Sequence, residues 1–513
     1  MRTKKRKIKI PQTSSQQLIS IIKTCRAIMR KDKGLNGDID RLPMLTWVLF
    51  LKFLDDVEKI REHGAEMGKV KFIPAIKPPY RWRDWAIKED GITGDELIAF
   101  INLDEAILPD GTKGPGLFAY LRSLQGSNGG DRRDVIATVF RGIDNRMKTG
   151  YLLRDVINLI NKINFTSSDD IHTLGAIYET MLKEMRDAAG DSGEFYTPRP
   201  VVRFMVKVIN PRLGETVLDP ASGTGGFLVE TFEHIRIQCK KAEDYRKLQN
   251  SSVIGIEAKP LPYLLCQMNL LFHGLEFPQI DPENALRFPL REIGDKNRVE
   301  IILTNPPFGG EEEKGILSNF AEDKQTSETA LLFLQFIMKK LKRPLGGKDG
   351  GRCGIVLPNG TPLSGGGVNA RIREELLKDF NLHTIVKLPA GVFAPYTGIE
   401  TNLLFFEKGS PTKEIWYYEQ PLPEGRKTYT KTQPIQFEEF DPCLKWWDNR
   451  KETELSWKVP IKKIADNNFD LDVKNPNKKP ALEQLPPEKL IENILEKEKR
   501  IIKLMEEIKA EII

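Results

Sequence analysis

The segment IILTNPPFGG, residues 301–310, combines groups that could hold an aromatic amine. An apolar run of strand type stops at Asn305, and the two prolines that follow cannot donate to a sheet ladder. The first of them also pushes Asn305 toward an extended conformation. We therefore predict a stiff loop that presents the Asn305 amide oxygen, the Pro306 carbonyl and the ring of Phe308.

The chemistry that such a loop offers is catalysis by positioning. The exocyclic amine of a nucleobase is a poor nucleophile because its lone pair is delocalised into the ring. Asn305 Oδ1 and the Pro306 carbonyl could accept its two hydrogens and aim the lone pair at a methyl donor, while Phe308 stacks on the base. A base in a duplex would first have to leave the helix, at a cost of a few kcal/mol.

A glycine-rich turn lies upstream, in TVLDPASGTGGFLVE, residues 216–230. A strand is predicted to end at Asp219, and Gly223, Gly225 and Gly226 form the turn before a helix. This arrangement lets a ligand approach the backbone at the carboxyl end of a strand, although tight packing alone is the other explanation. The turn is not GxGxxG, and the chain has no G-x-x-x-x-G-K-[ST] segment, so ATP-driven translocation is not expected.

The next predicted strand, SVIGIE, ends at Glu257, whose carboxylate could accept both hydroxyls of a ribose. The same place spells the E-x-K of metal-dependent nucleases. We do not favour that interpretation, because no carboxylate pair is evident beside it. Upstream, SGEFYTPRPVVRFM at 192–205 predicts a shaped loop before a helix, with hydroxyls that could hold an amino-acid group.

The elements that must position these residues alternate between short apolar runs and helices. The runs TVLDP, SVIGIE, EIILTN, CGIVLP, HTIVKLP and NLLFFE predict an α/β fold with a largely parallel sheet. Residues 14–165 are predicted to be mostly helical, as a scaffold or docking domain. After Gly409 the chain is polar and rich in Trp and Pro, with weak strand patterns such as EIWYYEQ.

A charged helix is predicted at 485–513, because apolar residues recur there at helical spacing: Leu490, Ile494, Ile501, Met505, Ile508 and Ile512. A single helix with such a stripe needs another surface to bury it, either in the same chain or on a partner subunit. The predicted division is a helical domain (1–165), a catalytic domain (166–410), an extension (411–484) and the C-terminal helix (485–513).

The amino-acid composition limits the class of protein and the kinds of site that the chain could contain. The 513 residues are 40% hydrophobic and 29% charged with a formal net charge of +6, which is compatible with nucleic-acid binding without requiring it. Five scattered cysteines without CxxC spacing and five unclustered histidines argue against a zinc site or a disulfide framework. We expect no metal, no secretory signal and a cytoplasmic location. The apolar segment 44–54 is too short to span a bilayer and predicts a core helix.

The motifs together resemble those of a known family. GEFYTPRPVV, LDPASGTGGFL, NALRFPL, TNPPFGG, QTSETALLFLQFIM, GRCGIVLPNG and LPAGVFAPYTGIETNLLFFEKG are similar to the modification subunits of type I restriction-modification systems. These subunits are S-adenosylmethionine-dependent DNA methyltransferases specific for adenine N6. The resemblance spans about residues 170–410. It implies a Rossmann-like methyltransferase domain with a mostly parallel seven-stranded sheet, between an N-terminal helical domain and a C-terminal helical tail.

Carried over position by position, the resemblance implies two groups of site residues. The catalytic group is Asn305, Pro306, Pro307 and Phe308. The group that contacts S-adenosylmethionine is Glu194, Phe195, Tyr196, Thr197, Asp219, Ser222, Gly223, Thr224, Gly225, Gly226, Glu257 and Asn284. Asn284 would lie beside the adenine of the cofactor. Residues 309–328 are predicted to move over the substrate.

The resemblance also implies partners. Two modification subunits would bind one separate specificity subunit, which chooses the sequence in double-stranded DNA, and a restriction subunit could join them. The C-terminal helix would dock on the specificity subunit. Adenine N6 is preferred to cytosine N4, because loops for cytosine amines more often begin with Ser.

Three alternatives differ in how well they suit the motifs. A protein glutamine methyltransferase typically carries Tyr in place of Phe308. A non-catalytic scaffold would have no need of an intact Asn305. An NAD-dependent oxidoreductase would need a tighter GxGxxG turn and has no use for the Asn-Pro-Pro-Phe loop.

Overall fold

A computed structural model describes most of the chain. The described residues are 15–69, 71–126, 132–165, 168–188, 196–309, 312–346 and 350–477, together with 491, 495–499, 501, 502 and 505. Within this part of the chain, no helix has the length and apolar character that a membrane span requires.

The N-terminal part is built mainly from helices. Its elements are α1 (Ser15–Met29), α2 (Asp38–Gly68), α3 (Trp82–Trp85), α4 (Gly94–Asn102), β1 (Ala106–Ile107), β2 (Lys113–Gly114), α5 (Leu117–Arg122), α6 (Arg132–Arg141), α7 (Gly150–Ile160) and α8 (Ser168–Ala188). The apolar segment 44–54 lies inside α2, where none of its apolar side chains is more than 6% exposed. The prediction of a core helix is therefore confirmed.

One large sheet organises the rest of the described chain. Its strands are β3 (Val217–Asp219), β4 (Val253–Ile256), β5 (Gln279–Asp281), β6 (Ile301–Thr304), β7 (Arg352–Pro358), β8 (Phe380–Leu388), β9 (Thr401–Lys408), β10 (Glu414–Glu419) and β11 (Ser456–Pro460). They lie in the order β11-β10-β8-β9-β7-β6-β3-β4-β5. Strands β3 to β7 are mutually parallel, β9 is antiparallel to both of its neighbours, and β11 is antiparallel to β10.

The α/β class is confirmed, but the predicted count of seven strands is wrong, because the sheet has nine in the described residues. The two additional strands, β10 and β11, come from the region predicted as an extension, where EIWYYEQ was a weak strand pattern and became β10. Tyr417 of β10 and Trp457 of β11 are buried and stack with ring centroids 5.3 Å apart. Strand formation here depends on packing against distant neighbours, which a weak local pattern cannot reveal.

Helices cover both faces of the sheet. They are α9 (Arg199–Ile209), α10 (Gly226–Arg236), α11 (Ala242–Ser251), α12 (Pro260–Phe272), α13 (Lys314–Leu317), α14 (Thr329–Lys340), α15 (Thr361–Ser364), α16 (Val368–Asp379), α17 (Asp441–Asp448) and α18 (Ile461–Asp466). Successive residues of β6 alternate between the two covered faces. Ile302 lies in the hydrophobic core that contains α14 and α16, whereas Ile301 and Leu303 lie in the core that contains α9.

Helix α12 joins the helical part of the chain to the sheet. Every residue from Pro262 to Phe272 is buried. Its side chains divide between two hydrophobic cores: Leu264, Leu265, Met268, Leu271 and Phe272 pack with the N-terminal helices, and Tyr263, Cys266 and Leu270 pack with α10 and β4. A helix that is apolar on all sides is typical of this two-sided burial.

The topology brings three predicted site residues to one edge. Strand β3 lies between β4 and β6 and is parallel to both. Their carboxyl ends therefore meet at the same edge of the sheet, where Asp219 ends β3, Glu257 follows β4 and Asn305 follows β6. This edge is where parallel α/β sheets bind ligands.

The predicted C-terminal helix falls mostly outside the described residues. Those that are described between 491 and 505 are helical. Their apolar side chains are all exposed by half or more, namely Ile491, Leu495, Ile501, Ile502 and Met505.

Candidate active site

Asn305 lies immediately after β6, and its side chain is held in one orientation. Its Nδ2 donates to Thr197 Oγ1 at 3.1 Å. The other amide atom, Oδ1, is buried and accepts no hydrogen bond from any described residue. A buried acceptor without a donor is costly, which is typical of groups that a ligand completes. The strand end therefore offers one amide oxygen to an incoming donor.

Phe308 belongs to an aromatic cluster that the sequence analysis did not foresee. Its ring centroid lies 5.8 Å from that of Phe393 and 6.1 Å from that of Tyr396, with interplanar angles of 73° and 35°. Phe393 is buried, whereas Phe308 and Tyr396 are half-buried. The aromatic residues in LPAGVFAPYTG were the available indication, but their sequence distance from Phe308 concealed the contact.

Two turn glycines adopt the left-handed conformation, with φ of 53° at Gly223 and 79° at Gly225. A methyl group added at Gly225 would lie 2.8 Å from Cys266 Sγ on α12. Gly226 then begins α10. The turn therefore needs glycine at Gly225 for two reasons, its backbone conformation and the close approach of α12.

Gly225→Ala is expected to lower both the melting temperature and the affinity for a nucleoside cofactor. Gly111→Ala is the matched control, because Gly111 has φ of 83° but no atom within 4 Å of an added methyl group. Both variants incur the left-handed strain of about 1–3 kcal/mol, and only Gly225→Ala displaces α12. Calorimetry and cofactor titration test the difference. Equal effects of the two substitutions would contradict the steric argument.

The carboxylate of Glu257 lies against the glycine-rich turn. Its Oε2 accepts from the Gly223 N–H at 2.9 Å, and its Oε1 accepts from the Lys259 N–H at 2.8 Å. These two bonds hold the carboxylate at the end of β4, beside the backbone of the turn. Within the described residues, no group of three or more His, Cys, Asp and Glu side chains could hold a metal ion.

Ser222 and Thr224 make contacts that shape the turn. Ser222 Oγ donates to the Ile256 carbonyl at 2.9 Å, which ties the turn to the end of β4. Thr224 is 2% exposed, and its carbonyl accepts from Asn269 Nδ2 at 2.9 Å. The hydroxyl of Ser222 is therefore directed at the backbone of the neighbouring strand.

Asp219 is 1% exposed at the end of β3. Burial raises the pKa of its carboxyl to about 7, the nearby charge of Glu257 raises it as well, and a hydrogen bond from the Ala221 N–H at 3.2 Å partly opposes the rise. The site thus contains a carboxyl group that titrates near neutrality.

The raised pKa of Asp219 predicts that the free energy of unfolding falls as pH rises from about 4 to 7. The unfolded chain loses this proton near the ordinary pKa of 3.8, whereas the folded protein keeps it up to about pH 7. The folded state therefore binds more protons across this window. Asp219→Asn should make the decline shallower in denaturant titrations over these pH values, and Asp448→Asn, an exposed control, should not. Parallel curves for Asp219→Asn and wild type would contradict the assignment.

The segment before α9 is only partly described. Glu194 and Phe195 lie outside the described residues. Tyr196 is 9% exposed, and its ring belongs to the hydrophobic core of the N-terminal helices. Thr197 contacts the catalytic loop through Asn305. This short stretch therefore connects the helical part of the chain to the strand edge.

Asn284 caps a short 3-10 turn at the same edge. Its Oδ1 accepts from the Leu286 N–H at 2.9 Å, and its Nδ2 donates to Glu312 Oε2 at 3.2 Å. In the segment 309–328, residues 310 and 311 lie outside the described part, and Asn319 Nδ2 donates to the Leu286 carbonyl at 2.9 Å. Movement of this segment over a substrate stays a prediction.

A polar network of Glu179, Arg199 and Asn269 supports the glycine-rich turn. Arg199 Nε donates to Glu179 Oε2 at 2.5 Å, and the other guanidinium nitrogens donate to Glu179 Oε1 and to the Gly226 carbonyl. Asn269 Nδ2 donates to Glu179 Oε1 at 2.6 Å as well as to the Thr224 carbonyl. Burial opposes ionisation, but the charge of Arg199 holds the pKa of Glu179 below its ordinary value. This network was not predicted from the sequence, and the two polar residues Gln267 and Asn269 in an otherwise apolar helix were the available indication.

These groups suit a nucleoside-bearing cofactor and an amine substrate. The turn allows close backbone approach, Glu257 provides a carboxylate for hydroxyl groups, and Asn305 Oδ1 is a buried acceptor without a donor. An α/β sheet that carries these features at the carboxyl ends of β3, β4 and β6 has a ligand-binding edge that can hold such a cofactor beside an amine.

Comparison with known proteins identifies the protein family to which the chain belongs. The family model for N-6 DNA Methylase matches residues 169–484. The EcoEI type I restriction enzyme methylase subunit of Escherichia coli is 47% identical over 481 residues, which is 92% of this chain and 93% of that protein. The chain belongs to the N-6 DNA methylase family, among the methylase subunits of type I restriction enzymes.

Two solved structures are similar over nearly the whole chain. A modification subunit assigned to a type I restriction enzyme of Vibrio vulnificus YJ016 is 67% identical with a TM-score of 0.83, covering 91% of this chain and 98% of that one. A structure that concerns complex assembly and conformational transition of the type I restriction-modification system is 41% identical with a TM-score of 0.78. It covers 97% of this chain and 98% of that one.

Proposed function

We propose that the chain transfers a methyl group from S-adenosylmethionine to N6 of an adenine that has left the DNA helix. The observation that carries the proposal is the buried Asn305 Oδ1, which has no donor in the described structure and lies at the end of β6. Membership of the N-6 DNA methylase family supports adenine N6 as the target.

The catalytic residues act by hydrogen bonding and stacking. Asn305 Oδ1 and the Pro306 carbonyl accept the two amine hydrogens, which localises the lone pair on nitrogen and fixes its direction. Pro306 and Pro307 keep the loop stiff, since neither can change φ freely. Thr197 Oγ1 accepts from Asn305 Nδ2 and so keeps Oδ1 turned toward the amine.

Phe308 provides a stacking surface for the extruded base, and the contacts with Phe393 and Tyr396 hold its ring in place. Stacking of a base on an aromatic side chain contributes about 1–3 kcal/mol. This offsets much of the cost of a few kcal/mol for unstacking the base from the duplex.

Glu257 and the turn around Gly223 would hold the nucleoside part of the cofactor, with Asp219, Ser222 and Asn284 around it. When bound, S-adenosylmethionine supplies an activated methyl group on a sulfonium centre. The close backbone approach at the turn and the paired oxygens of Glu257 support this assignment.

The chain acts in the cytoplasm as the catalytic part of a larger complex. Two copies bind one specificity subunit, which selects the DNA sequence, and a restriction subunit can join them. Two observations support this arrangement: the similar solved structure that concerns assembly of a type I restriction-modification system, and the exposed apolar residues between 491 and 505. Exposed apolar surface of this kind favours a protein interface.

Deletion of residues 485–513 is expected to abolish binding to the specificity subunit while leaving cofactor affinity unchanged. Co-purification and cofactor titration of the same preparation measure the two effects. Replacing the charged residues Glu496, Lys497 and Lys499 by alanine is the matched control, because it preserves the apolar stripe. Assembly that survives the deletion would refute the docking role.

The experiment that tests the proposed function is transfer of labelled methyl groups to mixed genomic DNA, with and without a specificity subunit. Label on adenine N6 only when the partner is present is the expected result. Label on protein glutamine would favour the glutamine methyltransferase alternative, and cofactor binding without transfer would favour the scaffold alternative.

A further inference from the structure

A second concave site lies at the edge of the sheet opposite the catalytic loop. Arg298 precedes β6, Arg343 follows α14, and Lys408 ends the antiparallel strand β9. All three therefore lie at the amino ends of the parallel strands. With neighbouring residues they line a pocket of about 510 Å³, which is the size of a small-molecule site.

The lining of this basic pocket has an excess of positive charge. Two acidic residues, Glu375 and Asp379, line it. The cationic residues that line it are Arg291, Arg298, Lys324, Lys339, Arg343 and Lys408. Lys324 Nζ forms an ion pair with Glu375 at 2.5 Å, so one of the two acids is already engaged. The other cations come from separate segments that the fold brings together.

Arg298 indicates that the fold itself forms this pocket, because the residue contributes a buried cation and not an exposed surface side chain. Its side chain is only 4% exposed, and its Nε is buried without a hydrogen-bond acceptor in the described structure. Nη1 donates to the Leu341 carbonyl at 3.4 Å. Asp295 Oδ1 lies 3.3 Å from Nε outside hydrogen-bond geometry, and its side chain is 82% exposed, so solvent weakens the attraction.

Electrostatic repulsion among the cations also indicates a pocket suited to an anion. Burial lowers the pKa of Arg298, and the charge of Arg343 lowers it further. Burial also lowers the pKa of Lys408, whose Nζ lies 4.0 Å from the ring centroid of Phe380. Arg298 is buried and Lys408 is half-buried, whereas Arg343 is exposed. The carboxylate of Asp379 partly opposes the fall in the pKa of Lys408, and a bound anion would stabilise both of these desolvated cations further.

We propose that this basic pocket binds a small ligand of the polyphosphate class. Guanidinium groups match phosphate oxygens in pairs, and lysine provides a compact positive charge. The volume of about 510 Å³ favours a small ligand over a continuous length of duplex. Arg298, Arg343 and Lys408 lie at the other edge of the sheet from the methyl-transfer site, and residues of the segment 309–328, such as Asn319, also line the pocket.

The test is calorimetric titration of the full chain with inorganic tripolyphosphate. Wild-type protein should bind it at one saturable site. The double variant Arg343→Gln/Lys408→Gln should bind it at least about tenfold more weakly, a loss of about 1.4 kcal/mol. Lys462→Gln/Lys463→Gln, on exposed positions of α18, removes the same charge and should bind as wild type.

Titrations with S-adenosylmethionine and with a short duplex DNA complete the test. Unchanged cofactor affinity in both double variants shows that the pocket variant is folded. Absence of tripolyphosphate binding to wild type, or equal weakening in both double variants, overturns the proposal. Weakened duplex binding in the pocket variant without any tripolyphosphate binding assigns the phosphates to nucleic acid and overturns the small-ligand assignment.

Discussion

Replacing Asn305 by alanine is expected to lower the rate of methyl transfer by roughly 10²–10³-fold, the typical effect of removing one hydrogen-bonding group that acts in the transition state. In the proposed mechanism the amine loses the acceptor that directs its lone pair, whereas the proposed cofactor residues at β3 and β4 are untouched. Single-turnover transfer to DNA in the presence of a specificity subunit measures the rate. Titration with S-adenosylmethionine should give an affinity close to that of wild type.

Two further variants test whether the amide oxygen of Asn305 acts in methyl transfer. Thr197→Val removes the contact that orients the Asn305 amide but leaves the acceptor, so an intermediate loss of rate is expected. Asn381→Ala is the control, because Asn381 pairs with Glu407 near the opposite edge of the sheet. A rate for Asn305→Ala within about twofold of wild type would exclude the amide oxygen from catalysis.

Glu179→Gln is expected to destabilise the protein by about 3 kcal/mol and to weaken cofactor binding. Removing one member of a buried ion pair leaves the other charge uncompensated, and losses of about 3–5 kcal/mol are typical. Here the remaining charge is Arg199, which also donates to the Gly226 carbonyl. Denaturant unfolding and cofactor titration measure the two effects. Cofactor affinity equal to that of wild type would show that the network has no part in supporting the turn.

Glu184→Gln is the control on the same helix. Its side chain is 47% exposed and pairs with Arg26, so a loss below about 1 kcal/mol is expected. The lowered pKa of Glu179 adds a dependence on pH. Its stabilising contribution is fully present above the ordinary glutamate pKa of 4.5 and is lost as pH falls through the lower folded value. Glu179→Gln should remove that component of acid sensitivity.

Local patterns in the sequence were sufficient for the centre of the sheet. The buried runs that became β3, β4 and β6 are short and uninterrupted, and a glycine-rich turn or a polar residue marks each carboxyl end. Because parallel strands align their ends, the sequence alone could place Asp219, Glu257 and Asn305 near one another.

Features that depend on distant partners could not be predicted in this way. The pattern EIWYYEQ indicated β10 only weakly, and no local rule connects β10 with β11, whose Trp457 stacks on Tyr417. The contact of Phe308 with Tyr396 and the bond from Arg199 to Glu179 likewise join different elements of the fold. Such contacts arise from tertiary packing, which overrides weak local preferences.

The two-sided burial of α12 limits how the protein can move as a hinged assembly. A rigid-body rotation of the N-terminal helices must either carry α12 along or separate Leu264 and Met268 from their neighbours. If α12 is carried along, Cys266 shifts relative to Gly225, where even an added methyl group would lie only 2.8 Å from Cys266 Sγ. Rearrangement of the helical part during complex formation would thus be transmitted mechanically to the glycine-rich turn, and the cost of opening a core favours motions that leave this helix in place.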